Sequence, residues 1–164
     1  MRFPRPTTIA AFLMITMATC TLPANAQSDR NQGLEGTWRV QVNVISCTTG
    51  QLTGPSFSAL LSFAEGGTLT GTTSNPAFQP GQRTSDYGVW HQTRGRSYTA
   101  DSEAFILFST NNPPFPVSAG KQRITQSITV AGNGFDSVAI TRFYDIHNFL
   151  LATLCAQATG SRFQ

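Results

Sequence analysis

The side chains in this sequence that can move a proton or orient a bound molecule fall in three short clusters. In SDYGVWHQTR, Ser85 to Arg94, an extended chain puts Tyr87, Val89 and His91 on one face and Trp90 on the other. Turned inward, Tyr87 and His91 would hydrogen-bond a ligand, and His91 would be a candidate proton carrier. In DSEAFILF, Asp101, Glu103, Phe105 and Leu107 share one face, with Ala104, Ile106 and Phe108 on the other. An inward Glu103 would be a candidate acid or base; an outward one would be solvated or paired with Arg94, Arg96 or Arg123. In TRFYDIHN, Arg142 and Tyr144 share a face, and Asp145 and His147 share the opposite one. Turns collect such polar residues for their own backbone, which is the simpler role for Asp145 and His147.

Other chemistries lack their residues. The sequence has no nucleophile elbow and no phosphate-binding glycine loop. His91 and His147 are far apart, and no metal-ligand spacing links them to other donors, so neither a metal nor a cofactor is expected. The chain carries 11 basic and 8 acidic residues, but two of the basic ones, Arg2 and Arg5, lie in the first 26 residues. The remainder is nearly balanced and has no Lys/Arg run, so nucleic acid is not an expected partner.

Residues 1–26 have the layout of a secretory signal: Arg2 and Arg5, a mostly apolar run from Thr7 to Cys20, and the small-x-small site Ala24-Asn25-Ala26. Cleavage after Ala26 predicts a periplasmic or secreted protein, with no integral membrane segment left after signal removal. Lipid anchoring at Cys20 ranks second, because Met17-Ala18-Thr19 is bulky for a lipoprotein signal. The expected organisation is a signal over 1–26, a lead-in over 27–35 and a single domain over 36–164. Once Cys20 is gone, Cys47 and Cys155 remain, and in an oxidising compartment a disulfide between them is expected.

The elements that must position the three clusters are strands. Trp38, Val40, Val42 and Val44 alternate with Arg39, Gln41 and Asn43; Phe57, Ala59, Leu61 and Phe63 do the same; so do Ile124, Ile128 and Val130. Eight strands are predicted, over 36–47, 56–64, 68–74, 85–93, 96–109, 121–131, 134–147 and 150–163. Glu65-Gly66-Gly67, Arg94-Gly95 and Gly132-Asn133-Gly134 are tight hairpin signals, whereas 48–55, 75–84 and 110–120 are longer links. In an up-and-down meander all three tight turns share one end and all three long links share the other. The expected fold is therefore all-β, an eight-stranded antiparallel up-and-down β-barrel pinched at one end and open at the other. Pairing Trp38 with Arg162 and Cys47 with Cys155 gives registers that agree within two residues and keep the same faces, which favours closure.

Gly36-Thr37-Trp38 at the start of strand one, with Arg162 at the end of strand eight, resembles the calycin superfamily of lipocalins, fatty-acid-binding proteins and avidins. There a Gly-x-Trp and a late basic residue pack together at the barrel base, which implies structural roles for Trp38 and Arg162. GGTLTGT, Gly66 to Thr72, is similar to a short avidin stretch, and the overall pattern resembles small exported bacterial barrels. The avidin biotin site does not carry over, since Trp38 and Trp90 are the only tryptophans. The resemblance implies a non-catalytic barrel that binds a small, mostly apolar molecule in its interior, with Tyr87, His91 and Tyr144 orienting it and Phe78 and Phe115 covering it from the loops. Two alternatives stand beside it. One is a metal-free isomerase or cyclase resembling the allene oxide cyclase class, which needs His91 or Glu103 inside. The other is a protein-binding, inhibitor-like surface module that uses the loops.

Overall fold

The computed structural model describes residues 33–111 and 116–163. The proposed signal, Cys20, most of the lead-in and Phe115 lie outside the described residues. Eight antiparallel strands form one closed barrel in sequence order. They are β1 (Gly36–Ile45), β2 (Phe57–Ala64), β3 (Thr68–Thr73), β4 (Asp86–Arg94), β5 (Ser97–Ile106), β6 (Gly120–Ala131), β7 (Gly134–Asp145) and β8 (Leu150–Arg162). Among the described residues no helix is long and apolar enough to cross a membrane.

Closure runs through β1 and β8, where Trp38 lies opposite Arg162 and Ile45 opposite Cys155. The barrel thus leaves no sheet edge along this seam. Just past the end of β1, Cys47 is bonded to Cys155, which ties the first long link to the last strand. The tight turns gather at one end, as expected. Gly66 and Gly67 both have positive φ, and Gly67 is held between β2 and β4: its N–H donates to Ala64 and its carbonyl accepts from Trp90.

The base is solid. Leu34, Trp38, Val40, Phe63, Leu69, Tyr98, Ile128, Val130 and Phe135 are buried and form one cluster. Trp38 Nε1 donates to the Leu34 carbonyl at 2.8 Å, so residues 33–35, the described end of the lead-in, fold under the barrel and put Leu34 in its core. Phe135 meets the Trp38 ring edge-on at 5.0 Å, and its own ring occupies the space a side chain at Gly160 would need. The Arg162 guanidinium lies 4.3 Å from the Trp38 ring centroid and donates to the Gly33 and Glu35 carbonyls. It therefore closes the base with its charge satisfied by carbonyls and a π face.

Candidate functional site

The mouth half of the barrel is built differently. Register and pleat carry the inward faces of β5, β6 and β7 upward from Tyr98, Ile128 and Phe135 to Ser102, Gln122, Gln126, Ser137 and Thr141. All five are less than a tenth exposed. Among the described residues, Ser102, Gln126, Ser137 and Thr141 donate and accept no side-chain hydrogen bond, and only the Gln122 Oε1 is engaged. None of their polar atoms is among the fully buried side-chain atoms without a partner, so each polar tip keeps some access from the interior side.

Two charged side chains meet at the top of this wall. Asp86 faces inward on β4, opposite Gly71 of β3. Arg83 comes from the β3–β4 link, which is pinned to the end of β5: the Thr84 N–H donates to the Phe105 carbonyl, and the Leu107 N–H donates to the Gln82 carbonyl. Arg83 pairs with Asp86 through Nη2, donates from Nε to Gln122 Oε1 at 2.5 Å and donates from Nη1 to the Thr84 carbonyl at 3.1 Å. One step beyond the Tyr87–Glu103 pair, Ala104 stands between Asp86 and Gln122, and its small side chain leaves room for the guanidinium to bridge them. Burial raises the Asp86 carboxyl above its ordinary range, with the Arg83 charge and hydrogen bond opposing the shift. Asp86 Oδ2 accepts no hydrogen bond from the described residues.

The facing wall is apolar and shallow. Val42 and Val44 of β1 lie beside Ala158 and Ala156 of β8, and Ala156 lies beside Ala139 of β7. Leu154 pairs with the inward Thr141, yet it is 42% exposed. An inward leucine left this open, above a base with Trp38 and Leu34 at 0%, marks this side of the mouth half as less tightly filled than the base, with Ile106, Ile124 and Phe143 also pointing inward on the opposite side. At the rim, a cleft of about 270 Å³ lies between the end of β3 and the β3–β4 link, lined by Thr73, Asn75, Phe78, Gln79 and Arg83 among others. Phe78 is the loop's anchor there, its ring centroid 5.6 Å from the Arg83 guanidinium carbon.

The residues singled out for chemistry lie elsewhere. Tyr87 is 66% exposed on the outer wall of β4, with His91 on the same face, where its ring meets the Thr99 hydroxyl at 2.8 Å. Glu103 is on the outside of β5, 3.6 Å from the Lys121 ammonium. Tyr144 is outside as well, its ring 5.8 Å from the same ammonium. The interior roles expected for Tyr87, His91 and Tyr144 therefore do not hold; Glu103 takes the outward alternative, paired with Lys121 instead of an arginine, and the argument for an acid–base centre goes with them. The reason is a phase inversion. On β4 the more apolar-looking face, Tyr87 and Val89, is outside because Asp86, Gly88 and Trp90 are the ones that complete the inner wall. Asp145 Oδ1 accepts the backbone N–H groups of His147 and Phe149 at 2.8 and 2.9 Å, which makes it the cap of the β7–β8 turn.

Sequence reading missed Arg83, Gln122, Gln126, Ser102, Ser137 and Thr141. A partial signal was present: above Tyr98, Ile128 and Phe135 the inward phase brings in Ala100, Ser102, Gln126, Ser137 and Ala139, although Ile124, Ile106 and Phe143 keep the same phase nearer the mouth. Among the described residues no cluster of His, Cys, Asp and Glu is arranged to hold a metal. No protein-family model matches the chain, and no curated protein matches it. The barrel thus combines a packed base with a mouth half whose inner wall carries polar side chains on one side and a part-exposed Leu154 on the other.

Proposed function

We propose that this protein is an exported, calycin-like barrel that binds one small molecule in the mouth half of its interior without transforming it. The observation that carries the reading is the inward row of Ser102, Gln126, Ser137 and Thr141, whose side chains make no hydrogen bond to the described residues and whose polar tips stay accessible, facing an alanine-rich wall. Eight-stranded barrels have an interior suited to one small ligand, and concave sites combine apolar surface with a few fixed polar groups in this way. Export is supported by the signal-like residues 1–26 and by the Cys47–Cys155 bond, which persists in an oxidising compartment. The Tyr87 and His91 outer wall plays no part in this binding.

Native mass spectrometry of the protein released from its own periplasm tests the proposal. A retained or added small molecule bound one to one is the expected result. Ala156→Trp, which fills the chamber from β8, should abolish that binding while preserving the β-sheet circular dichroism. Wild-type protein that neither retains nor takes up a small molecule would refute the reading.

A further inference from the structure

The chamber's chemistry narrows the class of molecule it takes, an inference that rests on the ligand-binding reading above. Its charged groups are already matched: Arg83 and Asp86 form one ion pair, with side chains only 5% and 6% exposed. An added carboxylate would meet the unshared Asp86 Oδ2 with no counter-ion left over, and an added ammonium would upset a pair that is already neutral. What remains open is hydrogen-bonding capacity. Asp86 Oδ2 can accept an N–H or O–H, Gln122 Nε2 can donate, and Gln126 can do both. The register places Asp86, Ala104 and Gln122 in one transverse row, with Gln126 two rows nearer the base beside Ala100 and Ala139. Phe143 flanks Gln122 and Ile124 lies between the two rows, yet none of Asp86 Oδ2, the Gln122 amide nitrogen and the Gln126 amide is a fully buried atom without a partner, so these polar ends stay accessible. Across the chamber, Val42, Val44, Ala156 and Ala158 offer only apolar surface.

We propose that the chamber selects a neutral, amphipathic molecule: an apolar face laid on the β8–β1 wall, and an amide-like edge, donor and acceptor together, held by Asp86, Gln122 and Gln126. Fatty acids and other apolar anions are thereby disfavoured, and pure hydrocarbons leave the polar row unpaired.

Equilibrium dialysis at neutral pH against 2-naphthamide, 2-naphthoate and naphthalene, three probes on one ring system, separates the possibilities. The amide should bind at least about tenfold more tightly than either of the others. Gln126→Leu should close the gap between amide and hydrocarbon. Asp86→Asn leaves the Arg83 charge unmatched and should reverse the order of amide and carboxylate; the wild-type and Gln126→Leu comparisons stand even if that variant does not fold. Naphthoate or naphthalene binding as tightly as the amide would overturn the selectivity while leaving a small-molecule chamber intact. Binding of none of the three would overturn both.

Discussion

At the scale of single residues, Asp86 has the most to report. Its carboxyl is raised above the ordinary 3.8 because burial outweighs the Arg83 pairing. The folded chain therefore holds this proton to higher pH than the unfolded chain does. Its contribution to stability is complete below the unfolded value and is lost as pH rises through the folded one. Urea unfolding of wild-type and Asp86→Asn protein from about pH 3 to pH 7 checks the sign. Wild-type stability should fall relative to the variant as pH rises, and a difference that grows with pH would contradict it. Gly160 is a second informative position. A Cβ there runs into the Phe135 ring, which is itself wedged against Trp38 in the packed base. Gly160→Ala should cost about 1–3 kcal/mol in chemical denaturation, because the neighbours cannot move aside in a core of this density.

Elements carry the next level of control. Period-two alternation decides inside from outside along each strand, and register between strands decides it where a strand's own pattern is ambiguous. Strand β4 is the case in point: Asp86 and Gly88 look like surface residues, and Tyr87 and Val89 look like core. Pairing Thr70 with Tyr87 and Tyr87 with Glu103 forces the opposite assignment. Outer-wall substitutions His91→Ala and Glu103→Gln should consequently leave small-molecule affinity unchanged within about twofold, measured by the same dialysis. The disulfide acts at this level too. It joins residues 108 apart in sequence, at the mouth end of the β1–β8 seam. Replacing both Cys47 and Cys155 with serine should lower stability by about 2–4 kcal/mol in denaturant titration, because the unfolded chain loses a long closed loop.

For the whole molecule, the division of labour runs along the barrel axis. The pinched end spends its large apolar side chains on stability, with Leu34, Trp38, Phe63 and Phe135 interlocked and Arg162 laid beneath Trp38. The other end mixes alanine, serine and glutamine with Ile106, Ile124 and Phe143 on its inner faces and leaves Leu154 42% exposed, so its packing is looser than the base's. The exposed apolar residues of the last turn, Ile146 at 71% and Phe149 at 68%, stand on the rim of that end and not at the base. A chamber-filling substitution at Ala156 should therefore raise thermal stability or leave it unchanged while removing binding, whereas truncation of Trp38 to alanine should cost about 3–5 kcal/mol. Differential scanning calorimetry of the two variants distinguishes an open mouth from a uniformly packed barrel.

Much of the architecture was legible in the residues alone. Trp38 to Val44 alternate so regularly, and the glycine turns and long links so strictly take turns, that eight strands, their order and the closing register of Trp38 with Arg162 follow from local pattern and parity. The Cys47–Cys155 bond was legible from the cysteine count, since only these two lie beyond the signal-like residues 1–26, and the closing register agrees with it. The site was not. Hydrophobic patterning locates walls that face a filled core, because only there does burial demand apolar side chains. Where the interior is left open, polar residues such as Gln122, Gln126 and Asp86 take the inward phase, and in sequence they read as solvent-facing. Arg83 lies in a link with no periodicity, and its partners stand on β4 and β6. Only the closed sheet, which brings that link against the end of β5, sets its guanidinium between Asp86 and Gln122.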